Sequence, residues 1–150
     1  MNKISFHSAD RTFYFNEKKK LKQWIIDYFN SEKKQLDSLS YIFCSDDYLL
    51  NINRQFLQHD YYTDIITFDL SETKDSVTGE VYISLDRVKD NAQQLQIPFK
   101  KELLRVMIHG VLHLCGYKDK SPFQQKQMRA KENEQLIKFN FNVPRVTLKS

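Results

Sequence analysis

Residues 99–115 constrain this chain more than any other stretch, because they ask for one helix with two working faces. At about 100° per residue, Leu104, Met107, Ile108, Val111 and Leu112 fill one arc that must be buried, while His109 and His113 lie roughly opposite its centre. Histidines four apart stand one above the other on a helix face, so their ring nitrogens can converge on one metal ion. Gly116 follows where a left-handed residue can end the helix and turn the chain, and Asp119, three residues further, is the candidate third ligand. Three protein ligands with one position open is the arrangement of a catalytic zinc centre, whereas structural sites close with a fourth side chain. Cys115 comes only two residues after His113, which turns it toward another flank, and it is expected to be a small core residue.

The competing reading of Asp119 is a surface carboxylate paired with Lys118 or Lys120. Its spacing favours the ligand, since it falls where metalloproteases of the metzincin pattern carry their third histidine. Those enzymes need a glutamate directly after the first histidine as general base, and here that position is Gly110, so peptide hydrolysis by that route is disfavoured.

At 150 residues, one domain spanning 1–150 is expected. Hydrophobic residues at 41% and charged residues at 28% suit a water-facing fold, and no apolar run reaches the length of a membrane span. The first residues have no apolar core of the signal-peptide kind, and two cysteines do not make a disulfide framework, so a reducing cytoplasm is the expected setting. The net charge of +4 permits a polyanionic partner without demanding one. The lysines at 18–20 and 22, at 33–34 and at 100–101 read as solvated helix surface, with an RNA-facing role as the alternative.

Along the chain, residues 4–15 carry Ile4, Phe6, Phe13 and Phe15 in loose alternation and predict one or two short edge strands. From Glu17 the spacing of Leu21, Trp24, Ile25, Tyr28 and Phe29 predicts a helix that frays over residues 30–34. Residues 39–44 predict a strand, and Ser45 or Asp46 caps a helix carrying Leu49, Leu50, Ile52 and Phe56. Residues 64–69 and 79–84 predict paired strands joined by a polar turn over 71–78, and residues 85–95 predict a helix stopped before Pro98. Ser121, Pro122 and Gln124 spell the start of a last helix, with a loose tail expected over 142–150.

The run from His109 to Tyr117 resembles the H-G-x-L-H-L-x-G-Y-D-H signature of the YbeY family, metal-dependent endoribonucleases of bacterial ribosomal RNA maturation. Thr63 to Phe68 resembles that family's T-D-V-L-S-F strand, Gly79-Glu80-Val81 its G-D-I, and Met128 to Glu132 its M-x-x-x-E helix. The resemblance implies an α/β fold of α+β character, a small mixed β-sheet packed by about five helices, with the metal site on a helix lining a cleft. It implies a single-strand-specific endoribonuclease acting in ribosomal RNA maturation and ribosome quality control. The implied partners are single-stranded RNA, ribosomal RNA and ribosomal particles, with no membrane. One divalent ion is implied, zinc by preference, held by His109, His113 and Asp119.

Two departures from the signature matter. Asp119 stands where the family has its third histidine, and a carboxylate shifts metal choice toward oxygen-tolerant ions such as manganese. Leu57 stands where the family carries an arginine, leaving Arg54 and His59 as candidate catalytic cations and Arg105 as a further one. Asp64 and Glu80 either orient a ligand histidine or cap turns. The alternative function is a ribosome-associated, RNA-binding assembly factor with a structural metal, which would bind particles without cleaving RNA. A hydrolase of peptides or small molecules is the third reading, and the missing glutamate argues against it.

Overall fold

Strand β1 (Ile4–Ser8) leads into helix α1 (Lys18–Ser31), strand β2 (Gln35–Cys44) and helix α2 (Asp46–Leu57). The hairpin of β3 (Ile65–Asp69) and β4 (Ser76–Ser84) follows, and then helices α3 (Leu85–Leu95), α4 (Phe99–Leu114) and α5 (Pro122–Phe139). The computed structural model describes residues 3–140, so the tail expected over 142–150 lies outside the described residues. The four strands form one mixed sheet in the order β1-β2-β4-β3, with β1, β2 and β4 parallel and β3 antiparallel to β4. A small mixed sheet with five helices is the α/β architecture expected from the resemblance.

Successive side chains of a strand face opposite ways, and that alternation sorts the core. Leu39, Tyr41 and Phe43 of β2 and Val77, Val81 and Ile83 of β4 enter the main core with the buried residues of α1, α4 and α5. Cys44, Ile66, Phe68 and Tyr82 point the other way and meet Leu49 and Ile52 of α2 in a smaller cluster. Helices therefore cover both faces of the sheet.

Helix α4 is more deeply enclosed than its wheel predicts. Leu103, Val106, Gly110 and Leu114 are buried along with the expected arc, so beyond the exposed Lys100 and Lys101 of the first turn apolar contact surrounds most of the helix and the histidine stripe is its more open side. Gly110 explains how close α4 comes to the sheet. A Cβ there would stand 3.1 Å from Val81 Cγ1, 3.2 Å from Ile65 Cδ1 and 3.3 Å from Thr67 Oγ1, inside normal carbon contact. The buried Tyr41 hydroxyl donates to the Met107 carbonyl at 3.0 Å and ties β2 to the same helix.

Two boundaries differ from expectation. β2 begins at Gln35 because its first residues pair with Ser76, Val77 and Thr78, the end of a largely polar stretch that reads as turn, and the hairpin connection shrinks to residues 70–75. Phe13 and Phe15 belong to no strand; they meet edge to face at 4.9 Å, and Phe13 packs on Phe43 and Phe99 at 5.5 and 5.8 Å. Their alternation reflects an aromatic plug over the core.

Candidate metal centre and its cleft

The end of α4 builds the site. Gly116 takes φ 101°, its N–H donates to the His113 carbonyl at 2.9 Å, and the Tyr117 N–H donates to the Leu112 carbonyl at 3.0 Å, a Schellman termination. This turn brings the Tyr117 carbonyl back onto His113, whose Nδ1–H donates to it at 3.0 Å. It also sends the chain to Asp119, whose Oδ2 lies 3.2 Å from His109 Nε2 and 3.5 Å from His113 Nε2. The two Nε2 atoms are 3.0 Å apart.

Helix α5 supplies the other support. Ser121 and Gln124 form a reciprocal capping box with Pro122 at the first turn. Further along, Glu132, 1% exposed, accepts from His109 Nδ1 at 2.5 Å. Both histidines thus have their Nδ1–H occupied by a carbonyl or carboxylate, which turns each Nε2 lone pair toward Asp119. Three electron-rich atoms at 3.0, 3.2 and 3.5 Å repel one another unless a proton or a metal cation lies among them. Zinc bonds of about 2.0–2.2 Å in tetrahedral array separate donors by about 3.3 Å, so the trio fits such an ion. Among the described residues, His109, His113 and Asp119 are the one such group able to hold a metal ion.

The electrostatics support this arrangement. Burial, and after it the neighbouring His109, holds the His113 pKa below the ordinary imidazole value, which favours the neutral, ligating form. Arg105 is bracketed by Glu102, through bonds of 2.9 and 2.6 Å, and by Glu132 at 3.0 Å. Burial opposes the Arg105 charge, but these two carboxylates outweigh it and its pKa is raised. Burial likewise favours neutral Glu132, yet the bonds from His109 and Arg105 prevail and hold its pKa below the usual carboxylate value. Asp64 goes the other way: burial raises its pKa, against the pull of Arg105 4.0 Å away.

The trio opens onto a cleft of about 540 Å³, whose walls include Leu57, His59, Tyr61, Asp64 and Thr67 on one side of the chain and Lys120 beside Asp119. A slightly larger groove of about 590 Å³ lies between α1 and the end of α5, but it contains none of the trio, and the chemistry lies in the smaller one. Of the residues singled out in the sequence, His109, His113 and Asp119 come together and His59 shares their cleft. Arg54 does not line it; its guanidinium pairs with Asp60 at 2.5 Å. Arg105 sits beneath His109 with its charge committed to Glu102 and Glu132. Glu80 bonds the Tyr82 hydroxyl at 3.3 Å, and neither it nor Asp64 is the partner of His109. Neither Lys118 nor Lys120 pairs with Asp119, whose close side-chain contacts are the two histidines. Cys115 is half-buried against the core, and burial lifts its thiol to about 12.

Sequence reasoning missed Glu132 as the support of His109 and Lys120 and Tyr61 as cleft residues. Glu132 stands on the helix quoted in the resemblance, and its place among apolar neighbours Met128 and Leu136 was the available signal.

A small α/β protein with a His-His-Asp group able to hold a metal ion, at one end of a cleft, is the class that this geometry defines. The family model described as endoribonuclease YbeY matches residues 3–140, and the chain belongs to that family. It is 50% identical over 133 residues to the endoribonuclease YbeY of Cytophaga hutchinsonii, covering 89% of this chain and 93% of that one. It is 47% identical over 137 residues to that of Flavobacterium psychrophilum, covering 91% and 92%. The solution structure of TM1509 from Thermotoga maritima superposes with a TM-score of 0.64 at 30% identity, covering 91% of this chain and 89% of that one.

Proposed function

We propose that this protein is a metal-dependent endoribonuclease that hydrolyses phosphodiester bonds in single-stranded RNA, acting on ribosomal RNA and ribosomal particles in the cytoplasm, with zinc as its ion. The observation that carries the reading is the convergence of His109 Nε2, His113 Nε2 and Asp119 Oδ2, with both Nδ1 atoms held from behind. When bound, the ion supplies Lewis acidity, polarising a phosphoryl oxygen and lowering the pKa of water.

The chain's own residues do the rest. Glu132 and the Tyr117 carbonyl fix the tautomer and orientation of the two rings. Asp119 offsets one of the ion's charges and comes from a loop, so it can adjust to the ion. Lys120, exposed in the cleft and without an ion-pair partner among the described residues, places a positive charge where a phosphate would lie. With His59 in the same lining, it is a candidate for the role for which Leu57, Arg54 and Arg105 are apolar, outside the lining or already paired. Glu102, Arg105 and Glu132 together form a hydrogen-bonded base under His109.

Purified without a histidine tag, the protein should hold about one equivalent of divalent metal. His113→Ala should lose both the metal and RNA cleavage. Wild-type cleavage by the metal-free His113→Ala protein would overturn the proposal.

A further inference from the structure

The loop between α2 and β3 is held in place more firmly than a surface loop of this length requires. Asn53, 1% exposed on α2, grips it at two points: the His59 N–H donates to the Asn53 carbonyl at 3.1 Å, and the Asn53 side-chain amide donates to the Tyr61 carbonyl at 2.9 Å. A further anchor is Tyr62, whose hydroxyl donates to Asp47 at 3.2 Å and whose ring lies 5.2 Å from the Arg87 guanidinium carbon. Between these anchors the His59 and Tyr61 rings stack at 5.1 Å and 19°, hydrogen-bonded to each other at 2.9 Å.

Tyr61 is nevertheless 56% exposed. One face of its ring rests on His59, so the exposure lies on the remaining face and edge, and both residues line the cleft that the metal trio opens into. With Leu57, 41% exposed in the same lining, they make an apolar and aromatic wall. Such a wall carries no fixed charge for a phosphate to pair with, unlike Lys120. An unpaired nucleobase, however, presents a flat π-face that stacks on aromatic side chains without regard to sequence.

We infer that the His59–Tyr61 pair is a base-stacking platform, which holds an unpaired nucleotide beside the scissile phosphate and gives the cleft its preference for single strands. A base inside a duplex is already stacked on both faces and cannot use the platform. Because the loop is anchored through its backbone, little ordering is left for the moment of binding. The inference rests on the reading of the cleft as an RNA site and adds to it the group that recognises the base.

The test uses the full chain, kept metal-free with chelator so that RNA stays intact, and a single-stranded RNA oligomer carrying 2-aminopurine, whose fluorescence falls on stacking. Wild-type protein and Tyr61→Phe should quench the probe, whereas Tyr61→Ala should lose the quench and bind about 5- to 100-fold more weakly. The same sequence as a duplex should bind wild type and Tyr61→Ala alike. Equal binding and equal quenching by wild type and Tyr61→Ala overturns the platform and leaves the nuclease reading standing. Absence of any single-stranded RNA binding by wild type, metal-free and metal-loaded alike, overturns the reading of the cleft itself, and the platform with it.

Discussion

Truncating Glu132 separates what holds the fold from what aims the metal ligand. Glu132→Ala removes the acceptor of His109 Nδ1 at 2.5 Å and one of the carboxylates around Arg105. Arg105 keeps both bonds to Glu102, at 2.9 and 2.6 Å, so its charge stays compensated. The stability loss therefore falls short of the roughly 3–5 kcal/mol that stripping a buried ion bare would cost, and about 2 kcal/mol is expected. His109 has no such reserve. Removing the partner that orients a ligand histidine costs about 10- to 100-fold in metal affinity, about 1.4–2.7 kcal/mol. Glu132→Gln keeps an acceptor oxygen at the same place and loses only the charge, so its affinity should stay within about 10-fold of wild type. The assay is competition for zinc between apoprotein and a chromogenic chelator, paired with urea unfolding of the same apoproteins. A folded Glu132→Ala protein with wild-type zinc affinity would refute the reasoning, because His109 would then be aimed by something other than this carboxylate.

Asp119→Ala should release metal more readily than Glu132→Ala, since it deletes a ligand and not a support, and metal content after dialysis would show the order. Asp119→His should retain metal, because imidazole is a competent replacement; loss of metal equal to that of the alanine variant would count against Asp119 as a ligand. Lys120→Ala should leave metal content unchanged and lower RNA cleavage by about 10-fold, with the deficit shrinking as salt screens the phosphate. Tyr41→Phe should cost about 1 kcal/mol in urea unfolding by depriving the Met107 carbonyl of its side-chain donor, with little effect on metal affinity.

What could be read from the residues divides along physical lines. α3 and the capped start of α5 were legible because caps and stop signals act locally, and the spans over Leu85–Leu95 and from Pro122 agree with the reading. The histidine stripe was legible because helical spacing alone sets it. The first residues of β2 and β4 were not, since Gln35, Ser76 and Thr78 pair through their backbones, which leave no mark in hydrophobic pattern. Charge without partner misled most. Arg105 looks in sequence like a free cation, but Glu102 one turn earlier on α4 and Glu132, brought in from α5 by the packing of two helices, both hold its charge. Arg54 is spent on Asp60 for a similar reason, across the turn that ends α2.

Asp119 and Lys120 make most sense together. Two neutral imidazoles leave a divalent ion with its full charge, and a carboxylate as third ligand cancels half of it, weakening the pull on a phosphoryl oxygen. The next residue, Lys120, adds one positive charge to the lining of the same cleft, on a flexible stem. The histidines, fixed on a buried helix, cannot share in this adjustment, because moving either would disturb the contacts of Gly110 with Val81, Ile65 and Thr67 that seat α4 on the sheet. Adjustment of charge is thereby confined to the turn after Gly116, where substitutions alter the ion's surroundings without reaching the core. On this argument Asp119→His should be more tolerant of losing Lys120 than the wild type is. A double-mutant cycle on RNA cleavage that found the two substitutions additive would show the pair to be independent.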